Sequence, residues 1–412
     1  MLGSIIGLFG KNNKNKNKKK IDVCYVRLPN SANKNITQDL KNLNSKIGQA
    51  IDVVGIEDRD CRKNWFTGKN MMFFSIEHIL DELDILARYR YLFGLKVTGG
   101  GGSGAIDYFF YEFKKRYRDS PIPIIVHIAT ELVDIRSQIN SAISLLVNLK
   151  LREKGTLWLF SNSKIIKDCG TSLSLANRSI ANLIWCLAYA DHSNITNFDL
   201  SLVSKSVYTG KFAELPIQPT SVEIGRNIIE KVREMLSNPW IDRDDFIWDN
   251  SKLKLVITDS IIVCLVPEKA HEKLRIKGLN VNDISTDNNN NLDLEIIYEN
   301  NNNTIKTDYV IPGPIRNNIR NNNNGSNGRE LIIHIIPYPG KTIKIVTLTK
   351  IAEESLEKCE RLCEEFLKRL HDDVAVGDVS DPIKSTYRKM FEEEFGTRPR
   401  VGEYPWEELC RL

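Results

Sequence analysis

Thr98-Gly99-Gly100-Gly101-Gly102-Ser103-Gly104-Ala105 interrupts an otherwise ordinary run of apolar sequence. It follows a strand-like stretch, Tyr91–Val97, and precedes a helical pattern over Asp107–Tyr117. Backbone amides that no side chain covers, fed into a helix N-terminus, make a ready site for an anion, so phosphate is the first ligand to expect. A flexible linker is the other reading of so many glycines, but linkers do not join a buried strand to an apolar helix. Gly100-x-Gly102-x-x-Ala105 also satisfies the dinucleotide-binding spacing. That fingerprint normally opens its domain, whereas two strand candidates precede it here. Glu131 and Asp134 come later than the roughly 20-residue offset of a ribose-binding carboxylate.

Outward from the loop, strand and helix patterns alternate. Ile21–Val26, Ile51–Ile56, Tyr91–Val97, Ile122–Ile128 and Thr156–Phe160 read as strands; Ile76–Tyr89, Asp107–Tyr117 and Ile135–Leu149 read as helices. Such alternation predicts an α/β domain, Rossmann-like, with a parallel sheet covered on both faces. A long apolar helix over Leu175–Tyr189 closes it. Beyond lie an amphipathic helix (Ile224–Leu236), a long strand (Leu253–Val266), a short helix (Glu268–Ile276) and strands at Leu292–Tyr298, Leu331–Pro337 and Thr342–Thr349. That order predicts a smaller α+β domain with a mixed sheet. Asn-rich runs at 288–291, 300–303 and 321–324 read as insertions in surface loops. The expected division is 1–20, a leader; 21–174, the nucleotide-binding domain; 175–192, a central helix; 193–350, the second domain; and 351–412, a charged helix with a polar tail.

The 412 residues are 42% hydrophobic and 27% charged with a formal net charge of +4, which excludes wholesale disorder and gives no reason to expect nucleic acid. Eight scattered cysteines include no CxxC pair, so zinc ribbons and thiol redox motifs are not expected. Cys359 and Cys363, four apart in a helix, read as small residues of a packing face, and a reducing cytoplasm fits best. In Met1–Gly10 the residues Leu2, Ile5, Ile6 and Phe9 share one helical face, and Lys11, Lys14, Lys16, Lys18, Lys19 and Lys20 follow, separated only by Asn. A secretory signal would place its charges first. An interfacial helix with a polybasic spacer is the functional reading, each Lys contributing about 1 kcal/mol beside an anionic leaflet. A frayed, solubilising tail is the bland one. Residues 1–20 hold six lysines and no acids, so the surplus of +4 belongs to the leader.

Thr98–Gly104 resembles the Gly-Gly-Gly-Thr-Gly-Ser/Thr-Gly signature of the tubulin/FtsZ superfamily, departing at Thr98 and Gly101. Further motifs follow in order. Leu159-Phe160-Ser161-Asn162 resembles the strand end carrying a nucleotide-contacting Asn, and Ile180-Ala181-Asn182 falls where the family offers an Asn or Asp to guanine. Thr196-Asn197-Phe198-Asp199-Leu200-Ser201-Leu202 is similar to the loop that completes the GTPase site of the neighbouring subunit. Gly225-Arg226 through Ser237-Asn238-Pro239 resembles a later helix of FtsZ, so the likeness runs from about Ile21 to Lys350.

The resemblance implies GTP or GDP, with magnesium, held by Gly99, Gly100, Gly101, Gly102, Ser103, Gly104, Glu131, Arg136, Asn162 and Asn182. It implies a subunit-contact loop carrying Asn197 and Asp199, and filaments formed by self-association or by co-assembly with another FtsZ-like protein. Two departures bear on chemistry. The loop after the first strand, Arg27-Leu28-Pro29-Asn30-Ser31-Ala32-Asn33, has no glycine. Leu202 stands where the family has the Asp that polarises water, and a leucine can neither accept a proton nor orient water. After the second strand, Glu57 and Arg59 replace the usual polar residues. Nucleotide binding is therefore expected weakened or altered, with hydrolysis slow or lost. Filaments held at the inner face of the cell membrane through Leu2, Ile5, Ile6 and Phe9 would suit cell division, shape control or membrane remodelling. The alternatives are a nucleotide-free scaffold of the same fold and a dinucleotide-dependent oxidoreductase, for which His271 and His334 show no catalytic partner in the sequence.

Overall fold

The computed structural model describes residues 21–28, 31–56, 64–98, 100, 102–118, 121–129, 134–152, 154–193, 195, 198–241, 256–277, 295–301, 304–312 and 330–411. The first half runs β1 (Val23–Arg27), α1 (Ser31–Lys46), β2 (Asp52–Gly55), α2 (Trp65–Ser75), a 3-10 turn (Ile76–Ile79), α3 (Leu80–Leu86), β3 (Tyr91–Val97), α4 (Gly102–Arg116), β4 (Ile122–Ala129), α5 (Ile135–Lys150), β5 (Thr156–Ser161), α6 (Asn162–Asp168) and α7 (Leu173–Ser193). After a second 3-10 turn (Leu200–Val203) come β6 (Val207–Leu215), α8 (Ser221–Ser237), β7 (Ile257–Pro267), α9 (Glu268–Lys277), β8 (Glu295–Asn301), β9 (Thr304–Pro312), β10 (Glu330–Tyr338), β11 (Ile343–Ile351), α10 (Glu353–Ala375) and α11 (Pro382–Phe395).

Among these residues eleven strands form one sheet, ordered β2-β1-β3-β4-β5-β6-β11-β7-β10-β9-β8. The strands from β2 to β6 are parallel. β11 is antiparallel to β6 and β7, β7 and β10 are parallel, and β9 and β8 end the sheet as antiparallel neighbours. This is the α/β architecture the alternation predicted: a parallel half, a long helix, then a mixed half.

Side-chain alternation along the strands supplies two apolar faces. Tyr91, Phe93 and Leu95 of β3 join Ile36 and Leu40 of α1 and Ile184 and Leu187 of α7 on one side. Leu92 of β3 faces the opposite side, with Phe66 of α2, Phe109 of α4, Ile143 of α5 and Leu367 of α10. A third cluster holds α8 against the mixed half through Ile224, Ile228 and Val232. Its helix begins with a reciprocal cap, the Thr220 side chain on the Glu223 amide and the Glu223 carboxylate on the Thr220 amide.

Several sequence expectations need correcting. The loop expected over Arg27–Asn33 gives way to helix at Ser31, because Ile36, Leu40, Leu43 and Ile47 form a stripe against α7 and the sheet that outweighs weak intrinsic propensity. Ile76–Tyr89 is not one helix but a 3-10 turn followed by α3. The stretch beyond Val374 is not a loose polar tail: Tyr387, Met390, Trp406 and Leu409 are buried against the α2–α4–α5 layer. Cys359 and Cys363 lie inside that packing, burial pushing the Cys359 thiol up to about 12. Among the described residues no helix is long and apolar enough to cross a membrane.

Candidate functional site

The chain leaves β1 towards β2 on one side and continues from β3 towards β4 on the other, so β1 and β3, neighbours in space, diverge at their carboxyl ends. α1 covers one face of the sheet and α4 the other. A crevice outside the carboxyl ends of such strands is where open α/β sheets bind ligands. At these strand ends Asn33 of α1 is buried, and its Nδ2 donates to Leu28 O at 3.0 Å and Leu95 O at 3.1 Å. Its Oδ1 accepts from the Tyr25 hydroxyl. A side chain thus closes the place where a glycine loop would leave bare backbone.

The glycine loop forms the wall after β3. Thr98 is buried, its amide bonded to Ile128 O at 3.2 Å and its Oγ1 lying 2.9 Å from Ser141 Oγ. α4 starts at Gly102, five residues earlier than the apolar pattern suggested, and Ser103 Oγ closes the turn on Gly100 O at 2.7 Å. The glycines serve different ends. A Cβ on Gly100 would meet nothing within 4 Å, so this backbone faces open space, as an anion cradle requires. A Cβ on Gly104 would sit 2.0 Å from Trp65 O, so Gly104 is there to let α2 pack against α4. Backbone at Gly100 and Gly102, at the start of a 15-residue helix, has the geometry to meet a phosphate, while the absence of a side chain at Gly104 serves helix packing.

Beneath the loop lies a fully buried polar network that the sequence reading missed. Lys96 of β3 donates to Asp107 Oδ1 of α4 at 2.5 Å and to Ser144 Oγ of α5 at 2.7 Å. Asp107 Oδ2 accepts from Trp65 Nε1 at 2.9 Å and Ser144 Oγ at 2.8 Å, and Asp107 Oδ1 from Asn148 Nδ2 at 3.0 Å. Asn140 Oδ1 takes the Trp65 amide at 2.9 Å. Burial lowers the Lys96 pKa, with Asp107 working against it, and the pair ties the start of α4 to the strand and neighbouring helices. The signal was available: Lys96 is the single charge of apolar β3, and Asp107 is the first charge of α4, set in its apolar opening turns. His127, opposite Lys96 in the β3–β4 register, has both ring nitrogens buried without a hydrogen bond. Burial first, and then the Lys96 charge, hold its pKa well below the ordinary value.

The remaining expected ligands divide. Asn162 sits half-buried at the carboxyl end of β5, two strands from the glycine loop and on the same edge, where Ser161 caps α6 through the Lys164 amide at 3.3 Å. Arg136, at the start of α5, faces Glu393 of α11 at 3.5 Å, and the α5 N-terminus is capped by its own Asp134, which accepts from the Ser137 amide at 2.8 Å. Burial raises the Asp134 pKa, but the Ser137 bonds outweigh it and hold it low. Asn182 is engaged within the chain: its Oδ1 accepts from Lys344 of β11 at 2.8 Å and its Nδ2 donates to Arg178 O at 2.9 Å. Nine residues into α7, it lies about 14 Å below the helix start and belongs to the seam with the second half. Gly99, Gly101, Glu131, Asn197, Glu57, Arg59, Pro29, Asn30 and the leader residues Leu2, Ile5, Ile6 and Phe9 lie outside the described residues.

Asp199 stands at the other end of the sheet. Its Oδ1 accepts from the Ser201 amide at 2.7 Å, the Tyr91 hydroxyl at 2.8 Å and Arg90 at 3.2 Å, while Oδ2 accepts from Arg90 at 2.8 Å. Burial raises its pKa, but these donors prevail and hold it below the ordinary carboxylate value. It caps the Leu200–Val203 turn, and Leu202 beside it is 45% exposed. His334 is a buried strand residue packed on Phe198, not a catalytic group in a cleft.

No family model matches the sequence, and no curated protein does. Among solved structures, CetZ2 from Haloferax volcanii in a GTPγS-bound protofilament aligns at TM-score 0.52 and 12% identity, covering 85% of this chain and 99% of that one. CetZ from Methanosaeta thermophila aligns at 0.51 and 13%, covering 91% and 98%. An empty FtsZ dimer from M. jannaschii aligns at 0.52 and 14%, covering 82% and 90%. The fold is therefore tubulin/FtsZ-like over nearly the whole of those chains.

Proposed function

We propose that this chain is an FtsZ/tubulin-like cytoskeletal protomer that assembles head to tail into membrane-associated filaments and holds a guanine nucleotide with hydrolysis slow or lost. The observation that carries this reading is the separation of two half-sites. The glycine crevice lies past Val97 at the end of β3, and Asp199 is bonded to Arg90 and Tyr91 at its beginning. Seven strand residues put roughly 20 Å between them, so one chain cannot close its own site. A neighbour stacked in the same orientation can, and such a heterologous contact continues into an open filament. The GTPγS-bound protofilament among the structural neighbours supports this use of the fold.

The chemistry expected of the contact is poor. Asp199 already accepts four hydrogen bonds within its own subunit, and Leu202 offers no acceptor. Gly100 and Gly102 would hold phosphate, and the nucleotide supplies the bond to be hydrolysed. A cytoplasmic location at the inner face of the membrane follows from the leader, and a co-assembling GTPase could supply the missing Asp. Purified protein should sediment as filaments, release GTP or GDP on denaturation, and liberate phosphate far more slowly than a competent relative. Sedimentation only as a monomer under all nucleotide conditions would sink the reading. Loss of vesicle binding on deleting residues 1–20 checks the anchor.

A second reading, a nucleotide-free scaffold, draws support from side chains already engaged: Asn33 bonded across the ends of β1 and β3, Arg136 paired with Glu393, and Asn182 held by Lys344. It predicts assembly indifferent to GTP and no nucleotide in the denatured supernatant.

A further inference from the structure

The outer face of α2 carries Phe73 and Phe74, 51% and 71% exposed, where a buried helix of this layer would present polar residues. The two rings pack edge to face at 5.2 Å, Phe73 continues onto Tyr108 at 5.7 Å, and Tyr108 onto Tyr111 at 6.0 Å. The chain that follows is acidic: Glu77, Asp81 and Asp84 are exposed on the 3-10 turn and α3, with Glu82 half-buried. Between 64 and 86 the one lysine, Lys69, is turned away onto Pro405 O at 3.1 Å and Glu408 at 3.4 Å. Arg116 approaches Glu77 at 3.3 Å, and the Tyr117 hydroxyl binds Asp84. Arg116 offsets Glu77, but Asp81, Glu82 and Asp84 keep α3 acidic, and acids beside an aromatic face disfavour contact with an anionic leaflet. They suit a ligand that is apolar at one end and cationic along the rest.

We propose that this face is the docking site of the chain's own residues 1–20 when those residues are off the membrane. Leu2, Ile5, Ile6 and Phe9 match the aromatic strip, and the six lysines of 11–20 match the acids of 77–84. The path is the right length. Arg90 donates its amide to Asp22 O at 2.7 Å, so the leader leaves the fold beside the end of α3. Tracing back from Arg90 through α3 and the 3-10 turn to Phe74 covers on the order of 30 Å, which ten extended residues span. The lysines then run along α3 and the apolar end reaches Phe73 and Phe74. The inference shares with the proposed function only the membrane affinity of the leader: docked and membrane-bound states compete, and the leader binds vesicles in proportion to its undocked fraction.

The test uses the full chain with p-benzoylphenylalanine in place of Phe9, irradiated in dilute solution without lipid. Adducts within the same chain at 73–84 or 108–111, abolished by the surface pair Phe73→Ser and Phe74→Ser, are expected; adducts elsewhere, or none, overturn docking. In a second arm, the Phe73→Ser, Phe74→Ser full chain should bind phosphatidylserine-rich vesicles about five-fold more tightly than the parent. Affinity unchanged or weakened overturns the competition. Failure of the parent to bind vesicles at all refutes the anchor and the competition, while the cross-link still decides whether the leader docks.

Discussion

Asp199 shows how a carboxylate in a suggestive loop is consumed by its own fold. Replacing it with Ala removes a cap and a two-point Arg90 contact; Arg90 is half-exposed, so a loss of about 1 kcal/mol is expected in urea unfolding. Because its folded pKa is depressed, the Asp199 contribution is present above the ordinary carboxylate pKa and fades as pH falls through the folded value; the variant should lose its deficit in acid. Leu202→Asp supplies the absent acceptor and should raise phosphate release from assembled protein at least several-fold; an unchanged rate would count against a trans-acting site. His127 works in the opposite sense. Its folded pKa lies well below the unfolded value, so the unfolded chain takes up the proton first and stability falls as pH drops below about 6.5, by up to about 1.4 kcal/mol per unit. His127→Leu should flatten that slope between pH 7 and 5 and should not destabilise at neutral pH, since no hydrogen bond is lost.

At the scale of elements, the junction of α2 with α4 positions the glycine loop. Gly104→Ala would drive a methyl into Trp65 O and should cost about 1–3 kcal/mol or more, whereas Gly100→Ala should leave the melting temperature nearly unchanged and weaken nucleotide retention. That contrast in one pair of alanine variants separates packing glycines from binding ones. Lys96→Met strands Asp107 in the interior and should cost about 3–5 kcal/mol, read by denaturant midpoint. β3, α4, α5 and β5 were legible because apolar periodicity and tertiary burial agree there. α1, β6 and α11 were not: each is polar or Gly-containing sequence whose apolar stripe is short, so the partner surface and not the local pattern supplies the stabilisation.

At the scale of the whole molecule, the C-terminal layer joins the parallel half of the sheet to the last described residues. Trp406 and Leu409 are buried, and Glu394 accepts from Thr67 Oγ1 at 2.6 Å and Asn70 Nδ2 at 2.9 Å, bracing α2 behind the glycine loop. Trp406→Ala should cost about 3–5 kcal/mol and loosen the loop as well as the tail, visible as faster amide exchange in α2 and α4. The layer also accounts for Arg136: a residue expected at the nucleotide instead meets Glu393 because α11 packs across the start of α5.

The sequence alone determined the alternation of strands and helices, the anion-ready glycine loop, the charge asymmetry of the leader and the absence of an acceptor at Leu202. These are properties of residue type and spacing, which need no knowledge of what lies across the fold. Tertiary structure decided which glycine faces open space and which faces a carbonyl. It also decided that Asn182 belongs to Lys344 and Asp199 to Arg90, and that Lys96 and Asp107 meet. A side chain's hydrogen-bonding capacity is fixed by its type, but whether that capacity is free for a ligand depends on neighbours distant in the chain, and only the packed fold brings them together.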